Sequence, residues 1–208
     1  MRPLLYALAV LTLSTTTAAD AAPKPAPGLP AGGVSMGNPK AKVLVEEYAS
    51  MSCSHCATFN NEVFPEFKKA FIDTGKVRYV LHEYVTPPEN VAAAGWFVAR
   101  CAGPDGYFKV VDAFFRSQAQ MFDTRDVRGA LMAAGKAGGL TEDGVRACLK
   151  DPAQLTALEG RLKAAVDRGV QGTPTFYING EPHVGEASLD ELAAAIKTAK
   201  PLKPAKKK

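Results

Sequence analysis

The chain has 208 residues, 47% hydrophobic and 22% charged, which bounds it to one globular domain or one domain with a large insertion. Its formal charge of +4 belongs to one end: six lysines (Lys197, Lys200, Lys203, Lys206, Lys207 and Lys208) lie in the last dozen residues, and the remainder is balanced to slightly acidic. That distribution argues against a nucleic-acid surface; the Lys-rich tail, residues 200–208, reads as a solvated end, with weak contact to anionic lipid as the alternative.

Residues 1–21 read as a secretory signal. Arg2 supplies the positive region, Leu4 to Leu13 is an apolar core too short to span a bilayer comfortably, and small residues place cleavage after Ala19 or Ala21. An uncleaved anchor is the alternative. No cysteine lies at the junction, so lipoprotein processing is not expected. Export to the periplasm would put all four cysteines where disulfides persist. Residues 22–36 are rich in Pro, Ala and Gly and read as a semi-extended linker, too short for a dimerisation domain, so the expected state is a monomer.

After the turn Gly37-Asn38-Pro39, a β-branched run predicts a strand over Val43–Ala49. Alternation puts Val43, Val45, Glu47 and Ala49 on one face, and Leu44, Glu46 and Tyr48 on the other. A strand leading into a site is usually central, so at least one of Glu46 and Glu47 should be costly to bury. Glu47 is the candidate: a buried carboxylate beneath a dithiol can exchange a proton with it. A solvated acid near a strand end is the bland reading.

Cys53-Ser54-His55-Cys56 follows at once, at the start of an amphipathic pattern. Two cysteines at this spacing, after a strand and opening a helix, make a redox pair. Unpaired N–H groups and the positive end of the helix dipole favour a thiolate at the first cysteine, so Cys53 is expected to attack and Cys56 to resolve. A zinc site would need a second pair of ligands, and His55, His82, His183, Cys101 and Cys148 offer no closely spaced one. Haem attachment needs His where Ala57 stands. No metal and no cofactor are expected.

The helical pattern continues to Thr74, with Phe59, Val63, Phe64, Phe67 and Phe71 as a core stripe, Pro65 expected to kink or split it and Gly75 as its end. Val77–Val85 alternates as a second strand, with His82 structural. From Pro88 to Arg168 the pattern is helical. The segments are 88–101, 105–120, one capped by Asp123 or Thr124, one opening at Thr141, and one at Asp151-Pro152. A run of helices between strands reads as an inserted subdomain, residues 88–168, with Trp96 buried in it. Cys101 and Cys148 both fall there, either as a structural disulfide or as two buried thiols; the compartment favours the bridge. Thr173-Pro174-Thr175-Phe176 returns the chain to strand, Asn179-Gly180 makes a hairpin turn, and Ser188 with Glu191 caps a final helix over Leu189–Thr198.

Taken together, Gly37-Asn38-Pro39, Glu47, Cys53-Ser54-His55-Cys56, the helical insert and Gly172-Thr173-Pro174-Thr175-Phe176 resemble the DsbA-like thiol-disulfide oxidoreductases, from about Gly37 to Thr198. The resemblance implies an α/β thioredoxin fold over residues 37–87 and 169–199, with the helical subdomain inserted between its second and third strands. It implies a cis Thr173–Pro174 bond facing the dithiol, a Thr173 backbone on which extended substrate pairs, and Glu47 as the family's buried acid. His55, with helix-terminus amides, would stabilise the Cys53 thiolate. Ser54 stands where many oxidants have proline, and Thr173 is found in isomerases and reductants as well as oxidants. The implied activity is donation of a Cys53–Cys56 disulfide to reduced, unfolded secreted proteins, with reoxidation by a quinone-linked membrane partner of DsbB type. The alternatives are a disulfide isomerase or reductant of the same fold, or a metal- or thiol-binding chaperone.

Overall fold

The computed structural model describes residues 32–201. Residues 1–21, read from the sequence as a secretory signal, most of the expected linker and most of the Lys-rich tail lie outside the described residues. Among the described residues five strands form one sheet: β1 (Val34–Gly37), β2 (Val43–Ser50), β3 (Val77–Tyr84), β4 (Thr175–Ile178) and β5 (Glu181–Val184), in the order β1-β3-β2-β4-β5. β2 lies at the centre, parallel to β3 and antiparallel to β4. This is the α/β arrangement expected, with one addition at the edge.

That edge corrects the linker boundary. Residues 34–36 do not belong to a linker; they pair antiparallel with β3, Val34 opposite Leu81. The strand has four residues and buries only Val34, too short for alternation to reveal it. Gly33 lets the chain approach closely, since a Cβ there would lie 2.6 Å from Cγ1 of Val80 and 2.7 Å from the His82 ring.

The helix expected over residues 53–74 is broken into four pieces: α1 (Ser54–Thr58), a π turn (Phe59–Val63), α2 (Phe64–Phe67) and a second π turn (Lys68–Ile72). Pro65 has no N–H to give, and the ladder ahead of it widens so that Phe64 N–H reaches Phe59 O. Phe59 and Phe67 are buried, as the stripe required. The insert holds α3 (Glu89–Cys101), α4 (Gly103–Thr124), α5 (Val127–Ala137), α6 (Glu142–Lys150) and α7 (Pro152–Asp167), and α8 (Leu189–Thr198) closes the fold. Asp123 and Thr124 are not the cap of α5: they form the last turn of α4, Arg125 ends it at φ 60°, and Asp126 Oδ1 caps α5 by accepting from Gly129 N at 2.8 Å. Thr141 and Asp151 cap α6 and α7 as read from the sequence.

The main core runs from Val45, Val77 and Phe176 of the sheet into Trp96, Phe114 and Leu131 of the insert. Glu83 of β3, fully buried, ties the two together: it pairs with Arg100 of α3 and with Arg161 of α7 (2.6 Å), and accepts from Tyr107 of α4 at 3.1 Å. Three donors compensate the buried charge, which alone would cost several kcal/mol.

Cys101, at the end of α3, is bonded to Cys148 of α6, with Cα atoms 6.2 Å apart. The bridge closes a loop of sequence separation 47, for which chain entropy gives about 4 kcal/mol. The double variant C101A/C148A is therefore expected to lose up to about 4 kcal/mol in denaturant unfolding while keeping its dithiol exchange rate. An unchanged midpoint would show that the bridge constrains nothing in the unfolded chain.

Candidate functional site

The site is built where β2 ends and α1 begins. Cys53 is the N-cap of α1, with extended backbone (φ −81°, ψ 119°), so its sulfur faces the free N–H groups of the first turn and accepts from Cys56 N at 3.4 Å. The turn before it is pinned from two sides. Ser50 Oγ accepts from Thr86 N at 3.1 Å and Ser52 Oγ donates to Thr86 O at 2.7 Å. Gln118 of α4, buried, donates to Met51 O at 2.8 Å and Cys53 O at 3.1 Å.

Across from α1, the Thr173–Pro174 bond is cis, as the resemblance implied, and the neutral Cys53 thiol donates to Thr173 O at 3.3 Å. The Thr173 hydroxyl is buried and otherwise unpartnered. Once Cys53 has lost its proton only a donor can serve it, and this hydroxyl is one.

The two sulfurs, both free thiols here, are driven apart chemically. Cys53 is half-buried and its pKa falls from 9.0 to about 5, first through the hydrogen bond from the Cys56 thiol, against the opposing pull of burial, then through Thr173 and the Cys56 and His55 backbone amides. Cys56 is fully buried and its pKa rises well above the ordinary thiol value, through burial and then through its interaction with Cys53. A negative sulfur at a helix start beside a neutral one is the pattern of a nucleophile with a resolving partner.

Glu47 lies beneath them, 3% exposed. Burial pushes its pKa from 4.5 to about 8, against the hydrogen bond from Tyr79 and with the Cys53 charge adding to the rise. Tyr79 OH donates to Glu47 Oε2. Beside the pair is a cavity of about 30 Å³ lined by Glu47, Tyr79, Asn60 and Asp112 among others, room enough to hold water. Glu46, one residue earlier, faces the opposite side of the sheet. Burial pushes its carboxyl up, but hydrogen bonds from His82 (3.0 Å) and Arg168 (2.5 and 2.9 Å) outweigh this and hold it below the ordinary value. His82, stacked on Tyr48 at 4.4 Å, serves that structural pair and not the dithiol.

The backbone N–H of His55 supports the Cys53 sulfur, and its exposed imidazole is paired with Glu186 while its charge also interacts favourably with a Cys53 thiolate. Ser54 is exposed and makes no side-chain hydrogen bond among the described residues. Sequence reasoning missed Tyr79, Gln118 and Glu186. Tyr79 was within reach, because Val77, Tyr79 and Leu81 share the face that Glu47 occupies in the paired strand; the other two carry no local signal.

Known proteins resemble this chain over most of its length. The family model described as Thioredoxin matches residues 31–198. A Rickettsia felis protein provisionally named a protein-disulfide oxidoreductase is 31% identical over 166 residues, covering 79% of this chain and 59% of that one. This chain thus spans about three fifths of the length of such Rickettsia relatives. Disulfide bond formation protein D of Bacillus subtilis is 24% identical over 169 residues, covering 77% and 74%. Among solved structures, alpha-DsbA1 of Wolbachia pipientis superposes with a TM-score of 0.72 at 25% identity, covering 80% of this chain and 90% of that one. The matched span takes in the sheet, the dithiol, the cis-proline loop and the helical insert together. This chain is a DsbA-like member of the thioredoxin family.

Proposed function

We propose that the chain is an exported thiol-disulfide oxidase, which passes its Cys53–Cys56 disulfide to reduced secreted proteins as they fold. A substrate thiolate attacks Cys53 Sγ, the Cys53–Cys56 bond breaks, and a substrate–Cys53 mixed disulfide forms. Cys56 leaves with the electron pair and takes a proton, for which Glu47, protonated at neutral pH with its pKa near 8, is the donor at hand. A second substrate thiolate then attacks the substrate's own sulfur, releasing Cys53 as a thiolate. The substrate has lost two electrons and the protein has gained them. Reoxidation by a quinone-linked membrane partner of DsbB type follows from the family resemblance.

The observation that carries this reading is the asymmetry of the two sulfurs. A leaving thiolate with a pKa of about 5 departs readily, and its stability favours the reduced protein, which makes the disulfide a good donor. That stabilisation is full above the ordinary thiol pKa, declines as pH falls, and is gone below about 5.

The test is equilibration of the Cys53–Cys56 couple with glutathione at neutral pH, together with oxidation of a reduced, unfolded protein. A potential well above about −200 mV is expected; one well below it would assign the chain to reductants or isomerases of the same fold. Cys53→Ala is expected to oxidise nothing.

A further inference from the structure

The contact between His55 and Glu186 joins two exposed side chains that are far apart in sequence and meet at the helix turn that Cys53 caps. Glu186 is held there from both sides. Gly185, at φ 95°, turns the chain after β5 and donates its N–H to Pro174 O at 2.9 Å, tying this loop to the cis-proline. Two residues later Ser188 and Glu191 lock the start of α8 with a capping box. Between these anchors the carboxylate reaches across to His55 on the first turn of α1. The imidazolium, next in sequence to Cys56, is the one cationic side chain that α1 offers to a Cys53 thiolate.

We propose that Glu186 is a positioning residue that limits how oxidising the dithiol is, by drawing the His55 imidazole toward the β5–α8 loop and offsetting its charge at Cys53. The thiolate exists only in the reduced protein, so any positive charge near Cys53 favours reduction of the disulfide. An anion that engages that charge works the other way. The inference rests on Cys53 being the attacking sulfur. Glutamine at 186 would keep a hydrogen-bonding arm and remove the charge, while alanine would remove both.

The test compares wild type, Glu186→Gln, Glu186→Ala, His55→Ala and the double variant Glu186→Gln with His55→Ala, each equilibrated with glutathione. The pH is about 6, where histidine of ordinary pKa is mostly protonated. Both Glu186 variants are expected to move the equilibrium constant toward the reduced protein by about two- to fivefold, or about 10 to 20 mV, with alanine the larger. The ultraviolet titration of the Cys53 thiolate should shift to lower pH in parallel. In the His55→Ala background the Glu186 substitution is expected to do nothing. An unshifted constant, or the same shift with His55 absent, would overturn the proposal. A wild-type potential in the reductants' range would refute the donor role but leave this ratio intact, and an unshifted ratio would refute Glu186 alone.

Discussion

Cys56→Ser protein, mixed with a disulfide-bearing peptide at neutral pH, is expected to accumulate as a mixed disulfide through Cys53. Cys53→Ala protein should form the corresponding adduct at least about 100-fold more slowly. The Cys53 thiolate attacks one sulfur of the peptide, the other leaves as a thiolate, and no second cysteine remains to release the adduct. Cys56, fully buried and with its pKa raised, offers neither access nor charge for the same attack. Serine keeps a donor next to Cys53, so the rate should hold as pH falls until it drops near pH 5. Alanine removes the hydrogen bond that contributes most to the low pKa, so in Cys56→Ala the drop should come at higher pH. Mass spectrometry of quenched mixtures reads both quantities. Equal trapping by the two single-cysteine proteins would remove the distinction between attacking and resolving sulfur.

Glu47→Gln is expected to stabilise the reduced protein at pH 7 and to slow its exchange. The folded-state pKa of about 8 lies above the ordinary 4.5, so folding takes up a proton at neutral pH. Stability from this group is greatest below 4.5 and is lost as pH rises through 8. At pH 7 the cost is about 3 kcal/mol. Glutamine never ionises and still accepts from Tyr79, so a gain of that order is expected, read as a rise of about 5–10 °C in thermal midpoint. The gain should shrink toward pH 4.5, where wild type is already protonated. Exchange should slow by on the order of 10²-fold, because Cys56 loses its proton partner. A variant no more stable than wild type at pH 7 would mean that Glu47 is ionised and compensated in the fold. An unchanged rate would mean that solvent protonates Cys56 directly.

Much of this site could be read along the chain. Cys53 and Cys56 announce themselves by spacing and by the strand before them. Thr173-Pro174, Asn179-Gly180 and the Ser188–Glu191 box each act over a few residues, and each stands where expected. β1 was hidden because four residues with one buried side chain carry too little pattern. The break expected at Pro65 is present, and it takes the form of a π turn because a residue without an N–H changes the hydrogen-bond spacing.

Glu46 and Glu47 mark the boundary between what sequence determines and what tertiary structure decides. Alternation alone sends these adjacent carboxylates to opposite faces of one strand, and a strand leading to a dithiol predicts that at least one is buried. It does not say which one finds a cation. Arg168 lies at a separation of 122 residues from Glu46, and Glu186 at 131 from His55. Such partners meet only because β4 pairs with β2, β5 extends the sheet beyond β4, and α7 packs on the neighbouring β3. Caps, turns and cysteine spacing are settled by neighbours that chain connectivity holds close, and so they are written locally. A buried charge is settled by whatever the packed fold places opposite it, which is why Glu46 is held ionised and Glu47 keeps its proton.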